Sequence, residues 1–399
     1  MRDLGRRLAN NPILTRRDVA PSQPELEVVS VFNAAVAKLG KETILLLRVA
    51  ERPRPLTGEV PLSTKTLDLA SLDSGLHPLP PGVLGENLVG LTFLNTALGA
   101  PSVVVAYVPR DLPGIDLRDP RTIRVRIPPA RAGEPEETRD YLTQMSHLRV
   151  ARSLNGVHFE VSPVPAVVPT TFLEEYGCED PRATLIEGVW HVTYVSAARL
   201  GITTSRLTTT DFVSFERQGV MFLPDHKDVV LFPARIDGRY VALTRPMPHS
   251  FDRVLGIWIA FSNDLVHWGE HQPLALPRKG KWDALRIGGG TVPFRVPEGW
   301  LALYHGVDVD GRYSMGALLL DGDDPRRVIG RSEEPILVPT EDYERSGLYN
   351  ETVFSCGHVL LDDRGERIRM YYGAADSCMA AADFDVREIV GALSTWRGN

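Results

Sequence analysis

The sequence predicts an all-β fold, and three observations carry that expectation. Its apolar runs are short and rich in β-branched and aromatic residues: TILLLRV at 43–49, SVVVAYV at 102–108, VWHVTYVS at 189–196, DVVLFP at 228–233, YVALTRP at 240–246, IWIAFS at 257–262, WLALYHG at 300–306 and RIRMYYG at 367–373. Turn residues separate these runs, and the 34 glycines and 31 prolines are scattered instead of clustered, as strands joined by turns require. Finally, one hairpin pattern recurs: a turn glycine, then an apolar-aromatic strand that ends in a polar residue.

The first hairpin turns at Leu39-Gly40 and runs to Leu47-Arg48. The second turns at Glu187-Gly188 and reaches Tyr194-Val195-Ser196. The third runs from Asp237-Gly238 to Thr244-Arg245, and the fourth from Glu298-Gly299 to Tyr304-His305. The fifth runs from Arg364-Gly365 to Ala375-Asp376. Five such hairpins suggest a five-bladed β-propeller, with an open sandwich of similar hairpins as the alternative. Ser153-Leu154-Asn155-Gly156-Val157-His158-Phe159 and Ser262-Asn263-Asp264-Leu265-Val266-His267-Trp268 share a second form: a serine, a polar turn, then an aromatic. A helical period shows only in the first ten residues and at 140–149.

Gly40 and Gly188 stand more than twice as far apart as successive turn glycines further on. Residues 51–145 are therefore expected to hold an insertion after the first hairpin. It is proline-rich at 52–61, 76–83 and 128–135, and it contains the apolar strand at 102–108. We expect an elaboration on one face, a lid or an oligomer contact, with residues 1–399 forming one catalytic domain. The oligomeric state stays open, a homo-oligomer included.

The 399 residues carry a formal net charge of −7, with 43% hydrophobic and 24% charged residues. That balance argues against nucleic acid or an anionic membrane as the main partner. Cys178, Cys356 and Cys378 have no zinc-like spacing, and so sparse a set fits free thiols in a reducing compartment. The N-terminus is basic but has no apolar core of a secretory signal. No apolar run approaches 18 residues, so no span is expected. A cytoplasmic location follows as the expectation.

The polar strand ends Arg48, Arg245, His305 and Asp376 would converge at the mouth of a propeller channel. Lys227 and Arg286 stand close to the same pattern. A cluster of Arg, Lys and His on rigid elements is how proteins hold a phosphate dianion, although each cation singly is more often a solvated side chain. Gly288-Gly289-Gly290 could approach a phosphate through its amides, but it lacks the P-loop setting and is expected to be a tight passage near the axis. His305 has no second histidine at ligand spacing, so no metal is expected. No nucleophile elbow or cysteine motif is present.

Gly177-Cys178-Glu179-Asp180-Pro181-Arg182 sets two carboxylates and an arginine on a stiff backbone. Pro181 fixes its own φ and pushes Asp180 away from the α region, so a rigid extended corner is expected. Neighbours on an extended chain point to opposite sides, which gives Asp180 and Glu179 separate roles. Taken alone, the segment also reads as a surface turn with a local ion pair.

As a set, these segments resemble glycoside hydrolase family 130, the β-mannoside phosphorylases and related β-mannosidases. The matching pieces are Phe32-Asn33, Leu46-Leu47-Arg48-Val49, Ser146-His147-Leu148-Arg149 through Phe159, and Gly177 to Arg182. They continue with Lys227-Asp228-Val229-Val230-Leu231-Phe232-Pro233, Thr244-Arg245-Pro246, Ile287-Gly288-Gly289-Gly290, Gly299-Trp300 through Tyr304-His305-Gly306-Val307, and Tyr371-Tyr372-Gly373-Ala374-Ala375-Asp376. The resemblance covers roughly residues 10–50 and 146–385 and leaves the insertion out. It implies a five-bladed propeller and makes Asp180 the general acid. It implies a phosphate site at Lys227, Arg245, Arg286 and His305, and mannose contacts at Asn33, Arg48 and Asp376.

An inverting hydrolase needs an acid and a second carboxylate to activate water. A phosphorylase needs the acid and a cationic cradle, because phosphate is its own nucleophile. One carboxylate motif plus a cradle favours phosphorolysis of a non-reducing-end β-mannoside to α-mannose 1-phosphate. The resemblance adds a proton relay through the mannose 3-hydroxyl. Inorganic phosphate is then the co-substrate, and no cofactor is expected. Arg182 is expected to orient Asp180 or a sugar hydroxyl, and Glu179 to order the basic cluster. Asp228 and Tyr304 are placed with the substrate-binding residues, and Trp282, Trp300 and Tyr304 are candidates for stacking on sugar. Two alternatives stay open. One is an inverting β-mannosidase using Glu179, Asp228 or Asp308 as base. The other is a carbohydrate-binding propeller without catalysis.

Overall fold

The structure, a computed structural model, describes residues 3–61, 63–67, 76–95, 101–119, 121–127, 137–249 and 251–395. The proline-rich segment at 128–135 lies outside them. The fold is all-β, and its helices are single short turns, of which Val386–Gly391 is the longest among the described residues. None is long and apolar enough to cross a membrane.

All five hairpins form. Leu26–Leu39 pairs with Glu42–Pro53, Gly177–Ile186 with Val189–Ala198, and His226–Leu231 with Tyr240–Pro246. Phe294–Val296 pairs with Gly299–Val307, and Val353–Leu360 with Arg367–Ala374. Gly40, Gly188, Gly238 and Gly365 hold φ at +58°, +84°, +73° and +66°, where a Cβ brings strain. Their recurrence in the sequence is the mark of that geometry.

Further strands widen each hairpin. Met145–Ser153 extends the first and Gly201–Thr209 the second. Ile257–Ser262 extends the third, Tyr313–Leu320 the fourth and Cys378–Asp385 the fifth. The first two units form one eight-stranded sheet, yet a single parallel pair, Ser146 with Gly177, joins them. The two chain ends each add an edge strand: Arg6–Arg7 pairs with Cys378–Asp385, and Leu393–Thr395 with Val328–Ser332.

Five apolar clusters of the core each lie between consecutive units. Leu148 and Leu46 of the first unit meet Val192 and Leu207 of the second. Ile186 and Met221 of the second meet Leu231 and Ala260 of the third. Val230 and Ile259 of the third meet Trp300 and Leu318 of the fourth. Leu301 and Met315 of the fourth meet Met370 and Ala380 of the fifth. Tyr371 and Met379 of the fifth then meet Val31 and Leu47 of the first.

The serine turn motif holds in both expected places. Ser153 Oγ accepts from the Gly156 amide while Asn155 Oδ1 accepts from Val157 and His158. Ser262 and Asp264 repeat this with Leu265, Val266 and His267. A third copy, missed in the sequence, uses Thr209 and Asp211 on Phe212, Val213 and Ser214; threonine replaces the serine.

Residues 140–149 are not helical: Glu137–Leu142 and Met145–Ser153 are strands. In the first ten residues Arg6–Arg7 is a strand as well. Met145–Ser153 is buried on both faces, so the alternation that would have identified it is missing. Within residues 51–145, Leu88–Asn95 pairs with Ser102–Pro109, and Thr122–Ile127 with Glu137–Leu142. These strands bury their own small core of Leu91, Ala106, Val108, Ile123 and Val125.

Candidate active site

Leu26–Leu39, Gly177–Ile186 and His226–Leu231 each carry a bulge that matters to the site. The register shifts between Phe32 and Ala35, between Glu179 and Arg182, and between Lys227 and Val230. Asn33, Asp180 and Asp228 sit in these bulges with φ of +46°, +44° and +57°. A bulge re-aims a side chain, and Asn and Asp are the residues besides glycine that best tolerate left-handed backbone. Asp180 is therefore not on an extended corner. Pairing on both sides of the bulge overrides the preference that Pro181 imposes. Side-chain alternation fails with it: Glu179 and Asp180 reach the same guanidinium.

That guanidinium is Arg48. It donates to Asp180 Oδ1 at 2.9 Å, to Glu179 Oε1 at 2.7 Å and to Ser146 Oγ at 3.0 Å. It also lies 4.6 Å from the centroid of the Phe32 ring. Asn33 Nδ2 donates to the same Asp180 Oδ1 at 2.9 Å. Among the described residues Asp180 Oδ2 takes no hydrogen bond, and Asp180 lines a cavity of about 580 Å³. Asn33, Arg48, Glu179, Lys227, Arg286 and Asp376 line the same cavity, so most of the expected site residues do meet.

Burial pushes the Asp180 carboxyl up, but the charges of Arg48, Lys227 and Arg182 and the Asn33 hydrogen bond outweigh it, and it ends below the ordinary carboxylate range. Asp376 goes the other way. Burial, aided by the Asp180 charge, lifts it to about 6 against Arg48, Arg121 and Lys227.

Beneath the cavity Arg182, Arg245 and His305 meet one carboxylate, Asp228, while Glu179 holds Arg48. Asp228 Oδ1 lies 3.2 Å from Arg182 Nη2, and Oδ2 lies 3.0 Å from Arg245 Nη2 and 3.4 Å from His305 Nε2. Burial opposes its charge, but Arg245, His305, Arg182 and Lys227 together hold it far below the ordinary range. Asp228 is buried and does not line the cavity. Arg182 contacts neither the Asp180 carboxylate nor the cavity. Its guanidinium donates to the carbonyls of Asp180, Gly289 and Gly290. The triple glycine thus offers carbonyls to an arginine, where the sequence had suggested amides for a phosphate. A Cβ on Gly288 would stand 2.4 Å from Asp228 Oδ2 and 2.5 Å from His305 Cε1, so only glycine fits there.

His305 is not a cation here. Burial, with Arg245, Arg182 and Lys227 adding to it, drives its pKa down to about 3 against the pull of Asp228. Arg245 Nε and Nη1 and both His305 ring nitrogens are buried without a hydrogen-bond partner. Arg286 stands at the cavity wall and donates to Tyr313 Oη at 3.0 Å through Nε.

Tyr304 does not reach the cavity. It is buried and donates to Asp283 Oδ2 at 2.8 Å, and Asp283 pairs with Arg331 and Arg278. The same arrangement recurs in two other units. Tyr194 donates to Glu174, which pairs with Arg217, and Tyr372 donates to Glu344, which pairs with Arg7. The tyrosine of the repeated strand is thus a structural anchor. Trp300 lies in the apolar core, and Trp282 stacks on Tyr304 with ring centroids 5.4 Å apart. Asp308 closes a turn by accepting from the Asp310 and Arg312 amides.

Sequence reasoning missed several cavity residues: Phe32 under Arg48, Tyr313 beside Arg286, Tyr349, and Arg121, Thr122, Leu142 and Gln144 from within residues 51–145. Tyr313 starts the strand that follows the His305 strand, a signal that the repeat contained. The four residues within 51–145 gave none.

Residues 138–395 match the family model of glycoside hydrolase family 130, described as β-1,4-mannooligosaccharide phosphorylase. The chain is 38% identical over 395 residues to a β-1,2-mannobiose phosphorylase of Listeria innocua, covering 97% of this chain and 98% of that protein. It is 36% identical over 256 residues to a 1,2-β-oligomannan phosphorylase of a Thermoanaerobacter species, covering 62% of this chain and 82% of the relative. The solved structure of the Listeria innocua enzyme with β-1,2-mannobiose superimposes with a TM-score of 0.81 at 36% identity, over 97% of this chain and 98% of that one. The chain belongs to glycoside hydrolase family 130.

Proposed function

We propose that the protein is an inverting mannoside phosphorylase that transfers a non-reducing-end β-mannosyl unit to inorganic phosphate. The observation that carries this is the inequality of the carboxylates. Asp180 has an oxygen free toward the cavity, while both oxygens of Asp228 are in ion pairs and Glu179 is bound to Arg48. Asp308 is spent in a turn. No second carboxylate among these is placed to activate water, which a hydrolase needs. An anion beside Lys227 and Arg286 would instead satisfy the buried donors of Arg245, whose desolvation is otherwise uncompensated. The phosphorylase relatives support the same reading.

In this mechanism Asn33, Arg48 and Asp376 hold the mannosyl unit. Phosphate rests on Lys227, Arg245 and Arg286, with neutral His305 as a hydrogen-bonding neighbour. A phosphate oxygen attacks C1, the bond from C1 to the leaving oxygen breaks, and that oxygen receives the Asp180 proton through the mannose 3-hydroxyl. Arriving phosphate cancels the positive field that keeps Asp180 ionised, so its pKa rises as the acid is needed. The carboxylate regains its proton from solvent.

We further read the five units as the blades of one propeller. The five apolar clusters form a cycle in which the last unit packs on the first, and Arg6–Arg7 adds the N-terminus to the last sheet. On this reading residues 1–399 are one catalytic domain, and 51–145 is an insertion in its first blade. The three cysteines are free and buried, in keeping with a cytoplasmic location.

The test is incubation of β-1,2- and β-1,4-mannobiose with and without phosphate. Turnover that requires phosphate and yields α-mannose 1-phosphate is expected. Equal rates with free mannose as the sole product would overturn it. Asp180→Asn should abolish turnover while retaining sugar binding.

A further inference from the structure

The mannosyl and phosphate contacts account for two sides of the cavity. A third side comes from the insertion, through Arg121, Thr122, Leu142 and Gln144, facing Tyr349. We infer that the insertion builds the acceptor side of the site, and that Arg121 binds the leaving sugar. The inference rests on the phosphorylase reading above.

Arg121 is held for such a task. Its backbone carbonyl accepts from the Thr143 amide at 3.0 Å, and its neighbour Thr122 pairs with Leu142. Its Nε and Nη2 donate to Asp119 at 3.1 and 2.9 Å. Its guanidinium carbon lies 5.8 Å from the Tyr349 ring centroid. Among the described residues Nη1 makes no hydrogen bond. An arginine balanced by its own aspartate is a poor second anion site but a good planar donor to sugar hydroxyls.

The cavity also continues beyond Arg121. A second groove of about 660 Å³ shares Arg121, Leu348 and Tyr349 with it and adds Asp310, Asn350 and Glu351. Hydroxyl-binding groups along a continued groove suit a further sugar unit. The family match begins at residue 138 and so leaves out Arg121. A β-1,2-mannobiose phosphorylase aligns across the insertion as well.

The experiment is synthesis from α-mannose 1-phosphate with mannose or β-1,2-mannobiose as acceptor. Arg121→Ala should raise the KM of both acceptors at least tenfold and leave that of α-mannose 1-phosphate within twofold. Arg121→Lys should recover part of the loss. Asn350→Ala should raise the KM of mannobiose alone. Equal shifts in donor and acceptor KM, or none in either, would overturn the inference. The Arg121 side chain is 41% exposed, so the variants should fold, and a thermal melt checks this. If wild-type enzyme releases no phosphate with any acceptor, the phosphorylase reading fails. Calorimetry then decides the acceptor wall on its own: Arg121→Ala must bind β-1,2-mannobiose at least tenfold more weakly than wild type, and unchanged mannobiose binding overturns it.

Discussion

Replacing Asp228 with asparagine removes one negative charge and keeps the shape. In the native site that charge faces Arg182 at 3.2 Å, Arg245 at 3.0 Å and His305 at 3.4 Å, all buried. Leaving the buried Arg182 and Arg245 cations without their partner costs about 3–5 kcal/mol. With an unfolding entropy of roughly 2 cal/mol/K per residue, that lowers Tm by about 4–6 °C for a chain of this size. The Asp228 pKa is depressed in the fold, so its stabilisation is complete above the unfolded carboxylate value near 4 and fades only as pH falls toward the folded value. The full loss is therefore expected at pH 7. Phosphate should restore part of it, because a bound anion replaces the missing charge. By linkage, a ligand at about 100 times its Kd contributes about 2.7 kcal/mol. Thermal melts in phosphate and in chloride at matched ionic strength read both effects. Unchanged Tm in the variant, or a phosphate shift no larger than in wild type, would refute the charge-balance argument.

Other outcomes follow from the same geometry. Lys227→Ala and Arg286→Ala should each raise the KM for phosphate by about 10- to 100-fold, the worth of a hydrogen bond to a charged group, with the mannoside KM changing far less in steady-state kinetics. Asp376 titrates at about 6 and is the stronger acceptor for sugar hydroxyls when ionised, so kcat/KM for the mannoside should fall as pH drops through about 6. Asp376→Asn should abolish that limb, and a limb that persists would assign it elsewhere. Its raised pKa has the opposite consequence for stability: the proton it keeps in the fold stabilises below about 4, and that contribution is lost as pH rises through 6. Tyr304→Phe should lower stability by about 1–2 kcal/mol in denaturant melts and leave kcat/KM intact. A loss of activity without a loss of stability would return Tyr304 to the substrate.

Much of the site was legible because its residues stand on repeated strands. Arg48, Arg245 and His305 were found by their place at strand ends, and Asp180 by its motif. Their partners were not. Asp228 orders residues that lie before and after it in the chain, and a carboxylate next to Lys227 carries no mark of that role. The state of His305 was equally hidden, since a histidine is cationic or neutral according to its burial and the charges around it. That Glu179 and Asp180 share Arg48 was hidden because alternation was extended through a bulge that the sequence does not announce.

Local chemistry settled the hairpins. Glycine at +58° to +84° is a property of a few bonds, and the β-branched and aromatic strands around each turn need no distant partner to be recognised. Asparagine and aspartate at the bulges are local in the same sense, since their side chains make left-handed backbone tolerable. Folding in three dimensions settled the rest. Arg182 is 46 residues from Asp228 and 107 from the Gly289 carbonyl it holds, and Arg121 lines one cavity with Arg48, Asp180 and Asp376, residues far from it in the chain. Ion pairing, burial and the resulting pKa values depend on distances in space, and separation along the chain does not encode them.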